Sequence, residues 1–96
     1  MSSYRLSDRA RADLQRVIYQ SIDLFGANQA IRYREQLRYR FQLLAENPRL
    51  GRLAPRAGKD VRRHEHAAHV IFYRATEDGV LILGVVHARR MRGLRF

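Results

Sequence analysis

Four histidines, His64, His66, His69 and His87, stand in the second half of this chain with Tyr73 and many arginines. Imidazole, phenol and guanidinium groups together can cleave RNA through its 2′-hydroxyl, which needs a base, an acid and positive charge on the phosphate. On this inventory the catalytic candidates are His87, Tyr73 and Arg74. His64 and His66 alternate on a strand-like run and so share a face. Two imidazoles on one face can hold zinc. The chain has no cysteine, however, and Glu65 points to the other face, so the pair is read as solvated or partner-facing and no metal or cofactor is expected. His87 closes an apolar run and is read first as a hydrogen-bonded structural residue. Arg62, Arg63, Arg89 and Arg90 flank the ends of the same strand-like runs and would form an anion-binding patch if they converge.

The charge behind these residues is the compositional outlier. Nineteen basic residues against nine acidic ones give +10, and only Lys59 is a lysine. From Arg49 onward eleven basic residues face four acidic ones, a net of +7; before it eight face five, a net of +3. Guanidinium groups bind carboxylate and phosphate through two parallel hydrogen bonds, and a field this positive suits nucleic acid, an acidic protein or an anionic surface.

The elements that must position these groups are legible from spacing. Tyr4-Arg5-Leu6 is a short candidate strand, followed by Ser7 as a helix cap and Asp8 in the first turn. Ala10, Leu14, Val17, Ile18, Ser21 and Phe25 form one helical stripe, ended by Gly26. A second helix begins near Asn28, with the stripe Ala30, Tyr33, Leu37, Phe41 and Leu44, and Asn47-Pro48 stops it. Residues 49–60 hold Gly51, Pro55 and Gly58 without apolar periodicity and read as a basic loop. Three strand-like runs follow: Val61 to His66, Ala68 to Arg74, and Val80 to His87, the last two separated by an Asp78-Gly79 turn. The tail from Ala88 to Phe96 reads as a short helix or a loose basic segment.

The order is therefore β-α-α-β-β-β. It implies one α+β domain over 1–96, with a helical hairpin packed on a small, mainly antiparallel twisted sheet. No signal peptide is expected, and the longest apolar run, Val80 to Val86, is too short for a bilayer. A cytoplasmic protein is expected, with no membrane partner. The helices carry apolar residues off their main stripes. Tyr19, Ile22 and Leu24 on the first helix, and Ile31 and Tyr39 on the second, are either the margin of the core or a groove for a partner helix.

Several of these segments resemble the ParE branch of the RelE/ParE toxin–antitoxin superfamily, in family order and over nearly the whole chain. They are Tyr4 to Leu14 with its Ala-x-x-Asp-Leu helix, the Gln29-Ala30-x-x-Tyr33 start of the second helix, and the exit Leu43 to Arg52. His69 to Arg74 resembles the central strand, and Ile82 to Arg90 the last strand and basic end. The resemblance implies a plasmid-stabilising or growth-arresting toxin that inhibits DNA gyrase. It implies neutralisation by a cognate antitoxin through an acidic C-terminal segment, in a toxin–antitoxin hetero-oligomer. The antitoxin face would be Tyr19, Ile22, Leu24, Ile31 and Tyr39, and the target face Arg62, Arg63, Arg89 and Arg90. The RelE branch offers the alternative, a ribosome-dependent mRNA endonuclease. Its nucleases tend to carry a proton-transfer Tyr or His near the C-terminus, and no residue after His87 can play that part here.

Overall fold

The computed structural model describes residues 2–96, so Met1 of the expected domain lies outside the described residues. The elements are β1 (Ser3–Leu6), α1 (Asp8–Phe25), α2 (Ala27–Glu46), β2 (Arg52–Leu53), β3 (Arg62–His66), β4 (His69–Thr76) and β5 (Gly79–His87), followed by a 3-10 turn at Ala88–Arg90. The five strands form one sheet in the order β1-β5-β4-β3-β2. β1 runs parallel to β5 and every other pair is antiparallel. The expected α+β architecture is present, with one extra strand. β2 occupies two residues of the segment read as loop, too short to show any alternation, and pairs Arg52 with Arg63 and Leu53 with Arg62.

The helical hairpin turns on a single residue. The Ser7 hydroxyl oxygen accepts the Ala10 N–H at 3.0 Å and caps α1. Gly26, at φ 88°, donates its N–H to Ile22 and accepts the Ala30 N–H, ending one helix and starting the next. A residue with a side chain rarely adopts that φ. This corrects the expected start of the second helix: Asn28 lies inside the first turn of α2 and is not its cap. Phe25 is also corrected. It sits on the apolar stripe of α1 yet is 68% exposed, because burial along that helix stops at Ser21 and the last turn has nothing beneath it. At the other end Asn47 donates its side-chain amide to the Leu43 carbonyl, and Pro48 halts the helix.

The sheet is covered on both faces. Ile71, Tyr73, Val80, Ile82 and Val85 pack under the helices with Ala10, Val17, Leu37, Phe41 and Leu44. Val70, Phe72, Leu83 and Val86 face away from the helices. They are covered by Ala57 and Val61 of the loop and by Met91, Leu94 and Phe96 of the tail. β5 therefore reads as an unbroken apolar run, as a strand buried on both sides must.

β5 carries a bulge. Phe72 pairs with Gly84 while Tyr73 pairs with Ile82, so Leu83 is the inserted residue. On its other edge β1 pairs with β5 only as far as Ile82, and from there the β5 backbone is satisfied by α1 and its cap. The Ser7 N–H donates to the Ile82 carbonyl at 2.9 Å, the Ser7 hydroxyl to the Leu83 carbonyl at 3.1 Å, and the Val85 N–H to Asp13 Oδ2 at 3.0 Å. Asp13 is the one buried charged residue among those described. Arg16, at 3.2 Å, and Arg9, at 3.8 Å, balance it. Gly84 is required at the bulge, since a Cβ there would meet the Phe96 ring at 2.9 Å and the Asp13 carboxylate at 3.2 Å.

Tyr73 ties the β2 segment to the core. Its hydroxyl donates to the Pro48 carbonyl and accepts the Gly51 N–H, both at 2.8 Å. Replacing Tyr73 by Phe strands the buried Gly51 N–H, so chemical denaturation is expected to show a loss of about 1–3 kcal/mol. Asp13→Ala removes the acceptor of the Val85 N–H and is expected to cost about 2–3 kcal/mol in the same measurement. A midpoint unchanged in Asp13→Ala would show that the bulge is held by other contacts.

Candidate functional site

Two basic clefts open on the ends and outer face of the sheet. The first lies between α1, the last residues of β5 and the 3-10 turn. Arg9, Arg16, Arg89 and Arg90 line it with His69 and His87, over a floor of Val17, Val85, Val86 and Leu94 and a volume of about 370 Å³. Asp13 also borders this cleft, but its two oxygens are already engaged by Val85, Arg16 and Arg9. Arg9 lies over the Phe96 ring, 4.6 Å from its centroid, which joins α1 to the C-terminal tail.

The histidines of this cleft belong to a connected group. The His69 and His87 rings meet edge to face at 5.4 Å. His69 Nδ1 shares a 2.6 Å hydrogen bond with the Tyr33 hydroxyl, which also donates to the His66 carbonyl at 3.3 Å. His66 in turn stacks on Tyr33 and reaches the Gln36 side chain at 3.2 Å. His87 Nδ1 accepts the Arg89 N–H, which leaves the proton of the neutral ring on Nε2. Burial lowers the His69 pKa, and the neighbouring His87 and His66 lower it further. Burial alone pushes the Tyr33 phenol up to about 12. Neither Tyr33 nor Tyr73, which burial also shifts upward, supplies a phenolate base at neutral pH.

The second cleft, about 710 Å³, lies over the face of the sheet away from the helices. Arg52, Arg56, Arg63, Arg92 and Arg95 rim it, and Phe72, Met91 and Leu94 lie at its base. Arg52 and Arg63 both reach Glu65, at 3.0 and 2.9 Å. Burial opposes ionisation of that carboxyl, but the two guanidinium groups hold it below the usual carboxylate range. Arg56, Arg92 and Arg95 have no ion pair among the described residues. His, Tyr, Lys, Asp and Glu are absent from the described lining.

The residues singled out from sequence are distributed differently from expectation. Arg62, Arg63, Arg89 and Arg90 do not converge. Arg62 and Arg63 are successive on β3 and face opposite ways, and Arg62 donates to the Gly51 carbonyl at 2.7 Å. Arg63 joins the second cleft, while Arg89 and Arg90 join the first. His87, Tyr73 and Arg74 do not meet either. Tyr73 is fully buried under the helices, and Arg74 donates to the Lys59 carbonyl at the far end of β4. His64 and His66 share one face of β3 as expected, but it is the helix-facing side: they are half-buried beside α2 and not solvated, and a buried Nε2 of His64 has no partner. No group of three His, Cys, Asp or Glu among the described residues is placed to hold a metal ion. Tyr19, Ile22, Leu24, Ile31 and Tyr39 are all exposed, between 39% and 74%. Ile31 and Tyr39 border a shallow groove with Arg32, Gln36 and Arg40. Sequence reading missed Arg9, Arg16 and His69 as partners in one cleft, and Arg56, Arg92 and Arg95 in the other. Only net charge signalled the arginines, while His69 stood among the candidate histidines without a partner assigned to it. No helix among the described residues is long and apolar enough to cross a membrane.

Comparison with known proteins gives a consistent result. Residues 4–92 match the family described as the ParE toxin of the type II toxin–antitoxin system, parDE. The chain is 33% identical over 89 residues to a protein named Toxin ParE1 from Mycobacterium tuberculosis, covering 92% of this chain and 91% of that one. It is 36% identical over 74 residues to Toxin ParE1 of Caulobacter vibrioides, covering 77% of each. Its fold matches a chain of the chromosomal ParDE TA system from P. aeruginosa with a TM-score of 0.76 at 21% identity, over 91% of this chain and 96% of that one.

The histidine cluster sets a pH dependence. His64, His66 and His69 are all held below their ordinary value of 6.5, in each case chiefly by burial. As pH falls below about 6.5 the unfolded chain takes up protons that the folded chain resists, so stability is present above that value and lost on acidification. Thermal melts from about pH 7.5 to about pH 5.5 are expected to show a falling Tm, with a smaller fall in His64→Gln. A Tm that holds or rises over that range would contradict the assignment.

Proposed function

The chain belongs to the ParE toxin family of type II toxin–antitoxin systems, and from that premise we propose that it acts by binding, as an inhibitor of DNA gyrase in the bacterial cytoplasm. One observation carries the reading. The larger cleft has an arginine rim and an apolar base, and no side chain of its described lining transfers protons near neutral pH. Such a surface grips an anionic macromolecule and performs no acid–base step on it. Arg56, Arg92 and Arg95 are the free cations of that rim and the contacts most exposed to a target. Of the residues first singled out, Arg63 lies on the same rim, and Arg89 and Arg90 extend the positive surface beside it.

The cognate antitoxin is assigned to the outer side of the helical hairpin. Tyr19, Ile22, Leu24, Ile31 and Tyr39 supply exposed apolar area there, with Phe25 beside them. An amphipathic helix would bury its apolar stripe on these residues, and an acidic C-terminal segment would be drawn in by the net charge of +10. The complex is a toxin–antitoxin hetero-oligomer.

One arrangement favours the enzymatic alternative, an mRNA endonuclease: His69 and His87 stand edge to face in an arginine-lined cleft. The two readings separate in purified assays. Gyrase supercoiling should be inhibited by the protein, and Arg56→Ala/Arg92→Ala/Arg95→Ala should weaken inhibition by about tenfold or more, while His87→Ala leaves it intact. Inhibition of a translation assay with cut mRNA, abolished by His87→Ala, together with unimpaired gyrase, would replace the docking reading by the nuclease one.

A further inference from the structure

The cleft between α1, the end of β5 and the 3-10 turn has a composition that docking through the larger cleft does not use. We propose that it binds single-stranded nucleic acid, holding a backbone phosphate among Arg16, Arg89 and Arg90 and the attached nucleoside over the valine floor.

Charge is the first argument. Four arginines face one carboxylate, and Asp13 is already committed to the β5 backbone and to Arg9 and Arg16. Arg89 and Arg90 have no carboxylate partner among the described residues. A guanidinium group carries five N–H donors, so Arg16 retains several after its contact with Asp13. Phosphate oxygens match that fork geometry.

Shape is the second. A lone phosphate would leave most of 370 Å³ unfilled, and the floor beside the arginines is apolar: Val17, Val85, Val86 and Leu94. The His69 and His87 rings, 5.4 Å apart, stand next to it as planar donors against which a base can stack. A nucleotide combines a phosphate, a sugar and a flat ring in one unit, and so answers rim, floor and imidazoles together. A base within a duplex is stacked and cannot enter, whereas an unstacked base of a single strand can. A carboxylate side chain meets the rim alone. The proposal requires no gyrase and stands apart from the docking reading.

The test is anisotropy of a labelled oligothymidylate of about eight nucleotides, a length within the site sizes of single-strand binders. Because a strongly basic protein binds any polyanion to some degree, the contrast between clefts decides. Arg89→Gln/Arg90→Gln should weaken binding by roughly tenfold and reduce the salt slope by about 0.7 for each phosphate contact removed. Arg56→Gln/Arg92→Gln, on the other cleft, should leave binding within about twofold. The imidazole resonances of His69 and His87 should move on titration with the oligomer. Equal losses from the two double variants, tighter binding of a duplex of the same length, or displacement by polyglutamate at lower concentration than by oligothymidylate would each overturn it. Both double variants alter exposed side chains, and matching circular dichroism shows that each is folded. Oligomer binding by the unaltered protein without any inhibition of gyrase would strike the docking reading alone.

Discussion

The buried Asp13 carboxylate accepting the Val85 N–H is the contact on which the rest of the molecule is arranged. β1 ends opposite Ile82, so the β5 backbone beyond it has no strand partner on that edge, and an unpaired buried N–H carries a large desolvation cost. α1 meets that demand with a charged acceptor, and its Ser7 cap meets the neighbouring carbonyls of Ile82 and Leu83. Helix and strand are thereby locked in one register. β1 then has to run parallel to β5, because a single residue, Ser7, separates it from a helix already pinned to that strand.

The same contact shapes the smaller cleft. Arg9 and Arg16 are drawn toward Asp13, which sets two guanidinium groups along the end of β5. Gly84 leaves room for the Phe96 ring, which packs on Phe72 at 5.1 Å and beneath Arg9 at 4.6 Å. The C-terminal tail is thus folded back over the outer face of the sheet. Its arginines come to border the clefts, with Leu94 lying between the two. A structural carboxylate and a structural aromatic ring together decide where the positive charge is displayed.

That charge is only partly neutralised within the fold. Glu65 engages Arg52 and Arg63, and Asp13 engages Arg9 and Arg16. Arg56, Arg89, Arg90, Arg92 and Arg95, around the tail and the loop facing it, are without carboxylate partners among the described residues, as are Arg5, Arg32, Arg38, Arg40, Arg49, Arg62 and Arg74 elsewhere. Surface charges held this way add little to stability and much to the capture of an anionic partner. The helices present Tyr19, Ile22, Leu24, Phe25, Ile31 and Tyr39 exposed. Two surfaces of different chemistry suit a protein with two partners.

Local pattern in the chain determined the elements. The 3.6-residue spacing in α1 and α2, the Ser7 cap, the Gly26 reversal, the Asn47-Pro48 stop and the Asp78-Gly79 turn all act within a few residues, so the amino-acid order alone specifies them. The family likeness lay in the same segments and led to the toxin reading. Two-residue β2 was hidden because strand character needs alternation that two residues cannot show, and Phe25 was misplaced because periodicity does not reveal where the sheet beneath a helix ends. The site was decided by tertiary structure. Whether Arg62 and Arg63 join Arg89 and Arg90 depends on the faces of β3 and on the return of the tail, and Tyr73 became a strut because its partners, Pro48 and Gly51, lie more than twenty residues away. Net charge is a property of the chain, but the position of each charge follows from long-range contacts that local spacing does not encode.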